Sequence, residues 1–122
     1  MSNASKRAVD FIGSAHDDLL AMPTEVRRQI GYALGFTERG LTHPNAKPLT
    51  GFSGVSVMEI VARHDTNTYR GIYTVKFEGM VYVLHCFQKK SKSGIAMTQQ
   101  DKELIEKRLE TAREHHKARL KQ

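Results

Sequence analysis

The sequence predicts an α+β fold: a twisted, mainly antiparallel sheet with an N-terminal helical hairpin on one face and a C-terminal helix. Three strand patterns, roughly Val57–Arg63, Thr68–Phe77 and Met80–Gln88, are joined by connections that are short enough for an antiparallel meander. Helical patterns precede and follow this meander. A chain of 122 residues is also the size of one domain, which we expect to span residues 1–122 with its core at about residues 8–110.

A strand and two helices are predicted before the meander. Residues 8–12 have the pattern of a short strand, and Ser14 with Asp17 has the spacing of a capping box that opens a short helix. A second helix begins after Pro23 and ends near Gly40, because apolar residues recur between them at helical spacing. These residues are Val26, Ile30, Ala33, Leu34 and Thr37. Residues 41–54 contain two prolines and two glycines and predict an ordered loop.

A basic helix is predicted after the meander. Thr98 and Asp101 have capping-box spacing, and the helical pattern covers residues 98–118. Its apolar stripe consists of Ile105, Leu109 and Ala112. Because so narrow a stripe buries little area, we expect this helix to dock weakly, or to dock fully only against a partner protein. The sheet face opposite the hairpin is then the expected active surface.

Charge and cysteine content restrict the class of protein. The chain has 19 Lys and Arg against 13 Asp and Glu, and ten of the cations lie from Lys89 onward. With a net charge of +6, the expected partner is a polyanion or an acidic protein. The single cysteine, Cys86, excludes an internal disulfide and fits a buried position in a protein of the reducing cytoplasm. No apolar run reaches the length of a membrane span, so we expect a soluble protein.

Cations recur on one predicted sheet surface and at its edge. Strand alternation places Arg63 and Arg70 on the surface opposite the apolar one, and Lys76 shares the face of Arg70. The run Lys89-Lys90-Ser91-Lys92 follows the last strand directly. Cations fixed at the end of a rigid strand can grip a phosphate backbone in a defined geometry, which points to RNA chemistry.

Cleavage of RNA without a metal needs a base for the 2′-hydroxyl proton, a cation for the pentacovalent phosphate and an acid for the leaving oxygen. Arg70 suits the cation role because a guanidinium is always charged and bidentate toward phosphate. His85 is the natural base or acid, and a lysine crowded by other cations, such as Lys89, is a second candidate base. Neither a metal nor another cofactor is expected, because the histidines lack ligand partners at recognisable spacing.

Each of these residues also has a structural interpretation. Arg70 can pair with Glu59 across the sheet, and residues 89–92 can form a solvated loop. His85 lies between apolar neighbours and can be a histidine satisfied within the core. The last strand is itself ambiguous, because residues 81, 83, 85 and 87 compete with residues 82, 84 and 86 for the core side.

Four motifs resemble, in their order and content, the phage-derived, HigB-like branch of the RelE/ParE toxin superfamily. They are Asn45–Phe52, Met58–Ile60, Tyr69–Val75 and Val83–Ser91. The resemblance covers about residues 9–109 and implies the toxin of a type II toxin–antitoxin pair, neutralised by a small antitoxin of the helix-turn-helix type. Many relatives cut mRNA in the ribosomal A site.

The resemblance also implies roles for particular residues. The strand-borne arginine of the family matches Arg70, and the basic cluster after its last strand matches residues 89–90 of this chain. Ribosome-dependent relatives carry lysines on the first meander strand, where this chain has Glu59 and Val61, with Arg63 as the one cation. Lys47 and His85 are therefore the remaining candidates for proton transfer.

The leading hypothesis is a ribosome-dependent, metal-independent mRNA endoribonuclease that inhibits translation. Its expected catalytic residues are Arg70, Lys89, Lys90 and His85, and its expected RNA-binding residues are Lys47, Arg63, Lys76 and Lys92. A gyrase-targeting toxin of the same superfamily and a non-catalytic module that binds nucleic acid or protein are the alternatives. Replacing Arg70 with alanine is expected to abolish toxicity and to leave the fold intact, since an arginine on an open face stabilises little.

Overall fold

The computed structural model describes residues 6–52, 56–89 and 97–121, and it has the predicted α+β fold. Its elements are β1 (Ala8–Phe11), α1 (Ala15–Leu20), α2 (Thr24–Glu38), β2 (Ala46–Pro48), β3 (Val57–His64), β4 (Asn67–Thr74), β5 (Met80–Lys89) and α3 (Gln99–Leu120). Within these described ranges, no helix is long and apolar enough to cross a membrane.

The five strands form one mixed sheet in the order β1-β5-β4-β3-β2. The pairs β2–β3, β3–β4 and β4–β5 are antiparallel, which confirms the predicted meander. Strand β1 pairs parallel with β5, so β5 lies inside the sheet with a partner on each side. This internal position explains why Met80 to Cys86 are all buried.

Helices α1 and α2 cover one face of the sheet, as the sequence predicts. The buried residues of α2 are the five of its predicted apolar face. They pack on a sheet surface that includes Ile60, Ala62, Tyr69, Tyr73, Val81, Val83 and Cys86. The approach is close at Gly71, where an added Cβ would lie 3.3 Å from Cγ2 of the fully buried Ile30.

Helix α3 covers part of the opposite face, and the expectation that it docks weakly is wrong. Its three stripe residues are buried in a second core with Ile72, Tyr82 and Leu84. Polar contacts flank the stripe: Arg108 donates to the carbonyl oxygen of Leu84 at 2.9 Å, and the hydroxyl of Tyr82 lies 2.7 Å from Nδ1 of His115. A narrow stripe is enough because these contacts also hold the helix against the sheet.

A β-bulge in β5 resolves the ambiguous alternation of this strand. Ile72 pairs with His85 and Tyr73 pairs with Val83, which leaves Leu84 as the extra residue. The bulge changes which residues face α2, so Val81 and Val83 share the first core with Cys86 rather than with His85. Neither of the two competing alternation patterns is therefore correct over the whole strand.

Local predictions fail at three places. Strand β2 lies within the predicted loop, and Pro48 fits there because β2 is an edge strand. Strand β4 ends at Thr74 rather than Phe77. Ser14 is the N-cap of α1 but its side chain makes no capping hydrogen bond; its hydroxyl donates to Asp18 and accepts from Arg108 instead. At α3 the predicted cap is confirmed, since Thr98 Oγ1 accepts from the Asp101 N–H.

Candidate functional site

Strand register brings several of the predicted site residues onto one face of the sheet. Directly paired residues of neighbouring strands point to the same side. Three adjacent rows result: Arg63, Thr68 and Lys89; then Val61, Arg70 and Phe87; then Lys47, Glu59, Ile72 and His85. We call Lys47, Arg63, Arg70 and Lys89 the cationic patch.

Arg70 lies at the centre of this patch and is paired with Glu59. Arg70 Nη1 is 2.5 Å from Oε2 of Glu59, and Lys47 Nζ is 3.9 Å from Oε1 of the same carboxylate. The contact between Arg70 and Glu59 is an ion pair whose geometry is not that of a hydrogen bond. Among the described residues, Arg70 Nε has no hydrogen-bond acceptor. The Glu59 side chain is 3% exposed and the Arg70 side chain 13% exposed. The premise that Arg70 stands on an open face is therefore wrong.

His85 lies one row from Arg70 and is held by the first turn of α3. Its Nε2 is 2.9 Å from Oδ1 of Asp101, and its ring stacks on Phe87 with centroids 4.4 Å apart. The other oxygen of Asp101 accepts a hydrogen bond from Thr98 Oγ1 at 2.9 Å. The Nδ1 atom of His85 is buried and has no hydrogen-bond partner in the described part of the chain. One ring nitrogen is thus fixed by a carboxylate and the other is uncommitted.

The face is open where the cationic patch lies and closed beyond it. Lys47 and Arg63 are exposed, while Val61, Arg70 and Lys89 are half-buried. Helix α3 starts beside His85, and its stripe packs on the half of the face that carries Tyr82 and Leu84. The open part of the face on which the active surface is predicted is therefore restricted to one end of the sheet.

Three predicted site residues remain, Lys76, Lys90 and Lys92, of which the structure describes only Lys76. Lys76 lies beyond Thr74, the last residue of β4, and therefore outside the three rows that carry the patch. Lys90 and Lys92 lie outside the described residues. Within the described ranges, no group of three or more His, Cys, Asp or Glu is placed to hold a metal ion.

Cys86 has the environment of a core residue. It is 2% exposed, and burial raises the pKa of its thiol from 9.0 to about 12, with a smaller contribution in the same direction from Asp18 and an opposing one from Arg108. Burial likewise raises the pKa of the Tyr73 and Tyr82 hydroxyls. These three groups stay protonated at neutral pH, and all belong to the cores rather than to the patch.

Two residues of the site are not identified as such by sequence reasoning. Glu59 is recognisable from alternation as a possible partner of Arg70, but its burial between two cations depends on the packing of the sheet. Asp101 has a sequence signal only as a capping residue, because its contact with His85 spans 16 residues of chain. Such a contact has no local sequence signature.

Comparison with protein families gives a match over most of the chain. The model of the family described as phage-derived protein Gp49-like (DUF891) matches residues 17–110. The chain belongs to the Gp49-like family. This family is RelE-toxin-like and occurs in toxin–antitoxin contexts, which confirms the resemblance to that superfamily at the broader level. No curated protein is significantly similar to the chain.

The Gp49-like match includes both the cationic patch and the residues around it. Residues 17–110 run from α1 into α3, so they contain Lys47, Glu59, Arg70, His85 and Asp101. The candidate site therefore lies within the part of the chain that defines the family. Residues of α3 beyond position 110, including His115, lie outside the match.

Proposed function

We propose that this Gp49-like protein is the toxin of a type II toxin–antitoxin pair, of the HigB-like branch, and that it cleaves mRNA on the ribosome. The observation that carries the proposal is that Glu59 and His85 lie in one row of the sheet, on the two sides of Ile72, and that Arg70 lies in the adjacent row on the same face. A carboxylate, a guanidinium and an imidazole supply the base, cation and acid that metal-independent RNA cleavage needs. The family and the basic charge of the patch support the same function.

Each group has a role in the proposed reaction. The 2′-hydroxyl oxygen of a ribose attacks the adjacent phosphorus, and Glu59 takes the proton of that hydroxyl. Arg70 moves from Glu59 to a non-bridging phosphate oxygen, where its charge stabilises the pentacovalent phosphate. The bond from phosphorus to the 5′-oxygen breaks, and His85 protonates this oxygen. The products are a 2′,3′-cyclic phosphate and a 5′-hydroxyl end.

The remaining cations of the patch bind the RNA backbone in this proposal. Lys89 and Arg63 lie in the same row, on the two sides of Thr68, so they can contact phosphates on either side of the one held by Arg70. Lys90 and Lys92 continue the chain from Lys89 and are proposed as further phosphate contacts. The partner that neutralises the toxin is proposed to be an antitoxin of the helix-turn-helix type.

The Arg70–Glu59 pair determines how the proposal should be tested. Alanine at position 70 would leave the buried carboxylate short of its main cation, so loss of activity would not separate catalysis from folding. Arg70→Lys keeps a positive charge beside Glu59 but removes the planar fork that binds phosphate oxygens. Arg28→Lys is the matched control, because Arg28 forms an exposed pair with Glu25 on α2.

The experiment is primer extension on a reporter mRNA in a purified translation system. We expect cleavage that requires ribosomes, with the rate lowered about a hundredfold or more in Arg70→Lys and unchanged in Arg28→Lys. Circular dichroism melting of both variants establishes that each is folded. An intact message in the presence of folded wild-type protein and active ribosomes would overturn the proposal.

One observation favours a non-catalytic alternative. Because Glu59 already compensates the charge of Arg70, the patch could bind nucleic acid through Lys47, Arg63 and Lys89 without doing chemistry. In that case the same translation assay would show an uncut message and continued translation. A DNA supercoiling assay with purified gyrase then distinguishes simple binding from a gyrase-targeting toxin.

A further inference from the structure

A cavity opens beside the cationic patch, at the corner of the sheet where β2 begins and β3 extends past it. Its volume is about 290 Å³, close to the lower end of the range for small-molecule sites. Among the described residues, five line it: Gln29, Asn45, Lys47, Val61 and Arg63. Two of the five, Lys47 and Arg63, belong to the cationic patch.

The walls of this cavity are held in place by hydrogen bonds to the backbone. The side chain of Gln29 bridges the main chain of Arg63: Nε2 donates to the carbonyl oxygen at 2.9 Å, and Oε1 accepts from the N–H at 3.2 Å. The N–H of Val61 donates to the carbonyl oxygen of Asn45 at 3.1 Å. Helix α2 and the segment before β2 are thus both fastened to β3, and the cavity is formed in advance of any ligand.

The polar groups that line the cavity are largely uncommitted. Across the described residues, no hydrogen bond or ion pair engages the side-chain amide of Asn45 or the guanidinium of Arg63. Lys47 lies 3.9 Å from Glu59 and its side chain is 65% exposed. No carboxylate is among the described residues that line the cavity. The ligand that suits it therefore carries a negative charge and also groups that can pair with an amide.

A nucleotide combines these properties. Its phosphate can be held by Arg63 and Lys47, and an asparagine amide offers a donor and an acceptor in one plane, which matches the hydrogen-bonding edge of a base. Val61 provides an apolar surface for the ring. Single-stranded RNA is recognised in this manner, through unstacked bases placed in pockets of the protein.

We infer that this cavity binds one nucleotide of a single-stranded RNA and that Asn45 selects its base. Val61 pairs with Arg70 across the strands, and Arg63 is a diagonal neighbour of Arg70 on the same face. The bound nucleotide is then next to the phosphate on which Arg70 acts. The position of the nucleotide beside the cleaved phosphate rests on the proposed function, whereas the binding of the nucleotide in the cavity does not.

The binding test is a titration of the isotope-labelled protein with each of the four nucleoside 3′-monophosphates, followed by NMR. We expect saturable shifts of the Asn45 side-chain amide and of the Arg63 resonances, with affinities that differ about tenfold between the best and the worst base. In Asn45→Ala the four affinities should converge, while Asn67→Ala, an exposed asparagine at the start of β4, should keep the difference. Inorganic phosphate is the reference for the contribution of charge alone.

The outcomes separate the inference from the proposed function. If all four nucleotides bind no better than inorganic phosphate, or shift resonances outside the cavity only, the inference is overturned even if the protein cuts mRNA. Base-selective binding in the cavity without any mRNA cleavage overturns the proposed function and supports the inference. Where mRNA is cut, sequencing of the ends should show a base preference at one position beside the cut that is lost in Asn45→Ala and kept in Asn67→Ala.

Discussion

At the scale of single residues, the central feature is a buried carboxylate between two cations. Glu59 is held by Arg70 and faces Lys47, and its side chain is almost completely removed from solvent. Taking such charges out of water is costly, and the cost is offset only while the partners are present. Arg70 therefore contributes to stability in the free protein, in addition to the catalytic role that we propose for it.

A double-mutant cycle on Glu59 and Arg70 measures this contribution. Either Glu59→Gln or Arg70→Gln leaves one charge buried without its partner, and we expect each change to lower the free energy of unfolding by about 3 kcal/mol. The double variant should lose clearly less than the sum of the two, because it leaves no uncompensated charge. Urea unfolding of the four proteins gives the coupling energy. Additive losses would show that the two side chains do not interact.

Cys86 gives a second prediction, for alkaline pH. The unfolded chain loses the thiol proton near pH 9.0, whereas burial keeps the folded thiol protonated to about pH 12. Because the folded pKa is raised, the contribution to stability is intact below pH 9.0 and is lost as the pH rises toward 12. We expect the wild type to lose about 2 kcal/mol more than Cys86→Ala between about pH 8 and about pH 10.5.

Urea unfolding of both proteins at the two pH values measures this difference. Tyr73 and Tyr82 also have raised pKa values, but they are present in both proteins and cancel in the comparison. Equal losses in wild type and Cys86→Ala would contradict the prediction. Rapid reaction of the native thiol with a disulfide reagent at neutral pH would contradict the burial on which it depends.

At the scale of elements, helix α2 and strand β4 approach so closely that a single methyl group matters. A Cβ at Gly71 would lie 3.3 Å from Cγ2 of Ile30, which is fully buried. A Cβ at Gly31, on the exposed side of α2, would meet nothing within 4 Å. The same substitution should therefore have opposite effects at the two positions.

We expect Gly71→Ala to destabilise the protein by about 1 to 3 kcal/mol through overpacking. Gly31→Ala should stabilise it by up to about 1 kcal/mol, because alanine favours the helix more than glycine does. Thermal unfolding followed by circular dichroism compares both variants with the wild type. A stabilised Gly71→Ala would mean that β4 and α2 are packed less tightly than the structure indicates.

At the scale of the whole molecule, positive charge and open sheet surface coincide at one end. The cationic patch occupies the part of the sheet that α3 leaves uncovered, and α3 closes the remainder of that face. The chain also carries cations on the distant C-terminal turn of α3, among them Lys117 and Arg119. Net charge alone therefore does not identify which surface a polyanion would use.

The salt dependence of RNA binding distinguishes the two surfaces. If the four residues of the patch neutralise phosphates, the logarithm of the affinity for a short single-stranded RNA should fall with the logarithm of salt concentration with a slope of about −2 to −3. Arg63→Ala should make the slope shallower by about 0.7, and Lys117→Ala should leave it unchanged. Fluorescence anisotropy measures both. A slope that responds to Lys117→Ala and not to Arg63→Ala would assign binding to α3.

Features that depend on local pattern can be predicted from the sequence alone. Hydrophobic periodicity and capping residues place α2, the meander and the start of α3, and strand parity is enough to put Arg63 and Arg70 on the same face. These predictions are correct because neighbours in the chain, or in a tight hairpin, fix them. The burial of Cys86 follows in the same way from its position in an apolar strand.

The construction of the candidate site depends on contacts between distant segments of the chain. The bulge at Leu84, the docking of α3, the contact of Asp101 with His85 and the cavity beside Asn45 all join segments that are far apart in sequence. Strand alternation leaves two possibilities for Arg70, a guanidinium free to bind phosphate or a pair with Glu59. The packing that buries Glu59 beside Arg70 decides between them. The physical reason is that burial and pairing depend on what covers a residue, and the cover comes from elsewhere in the chain.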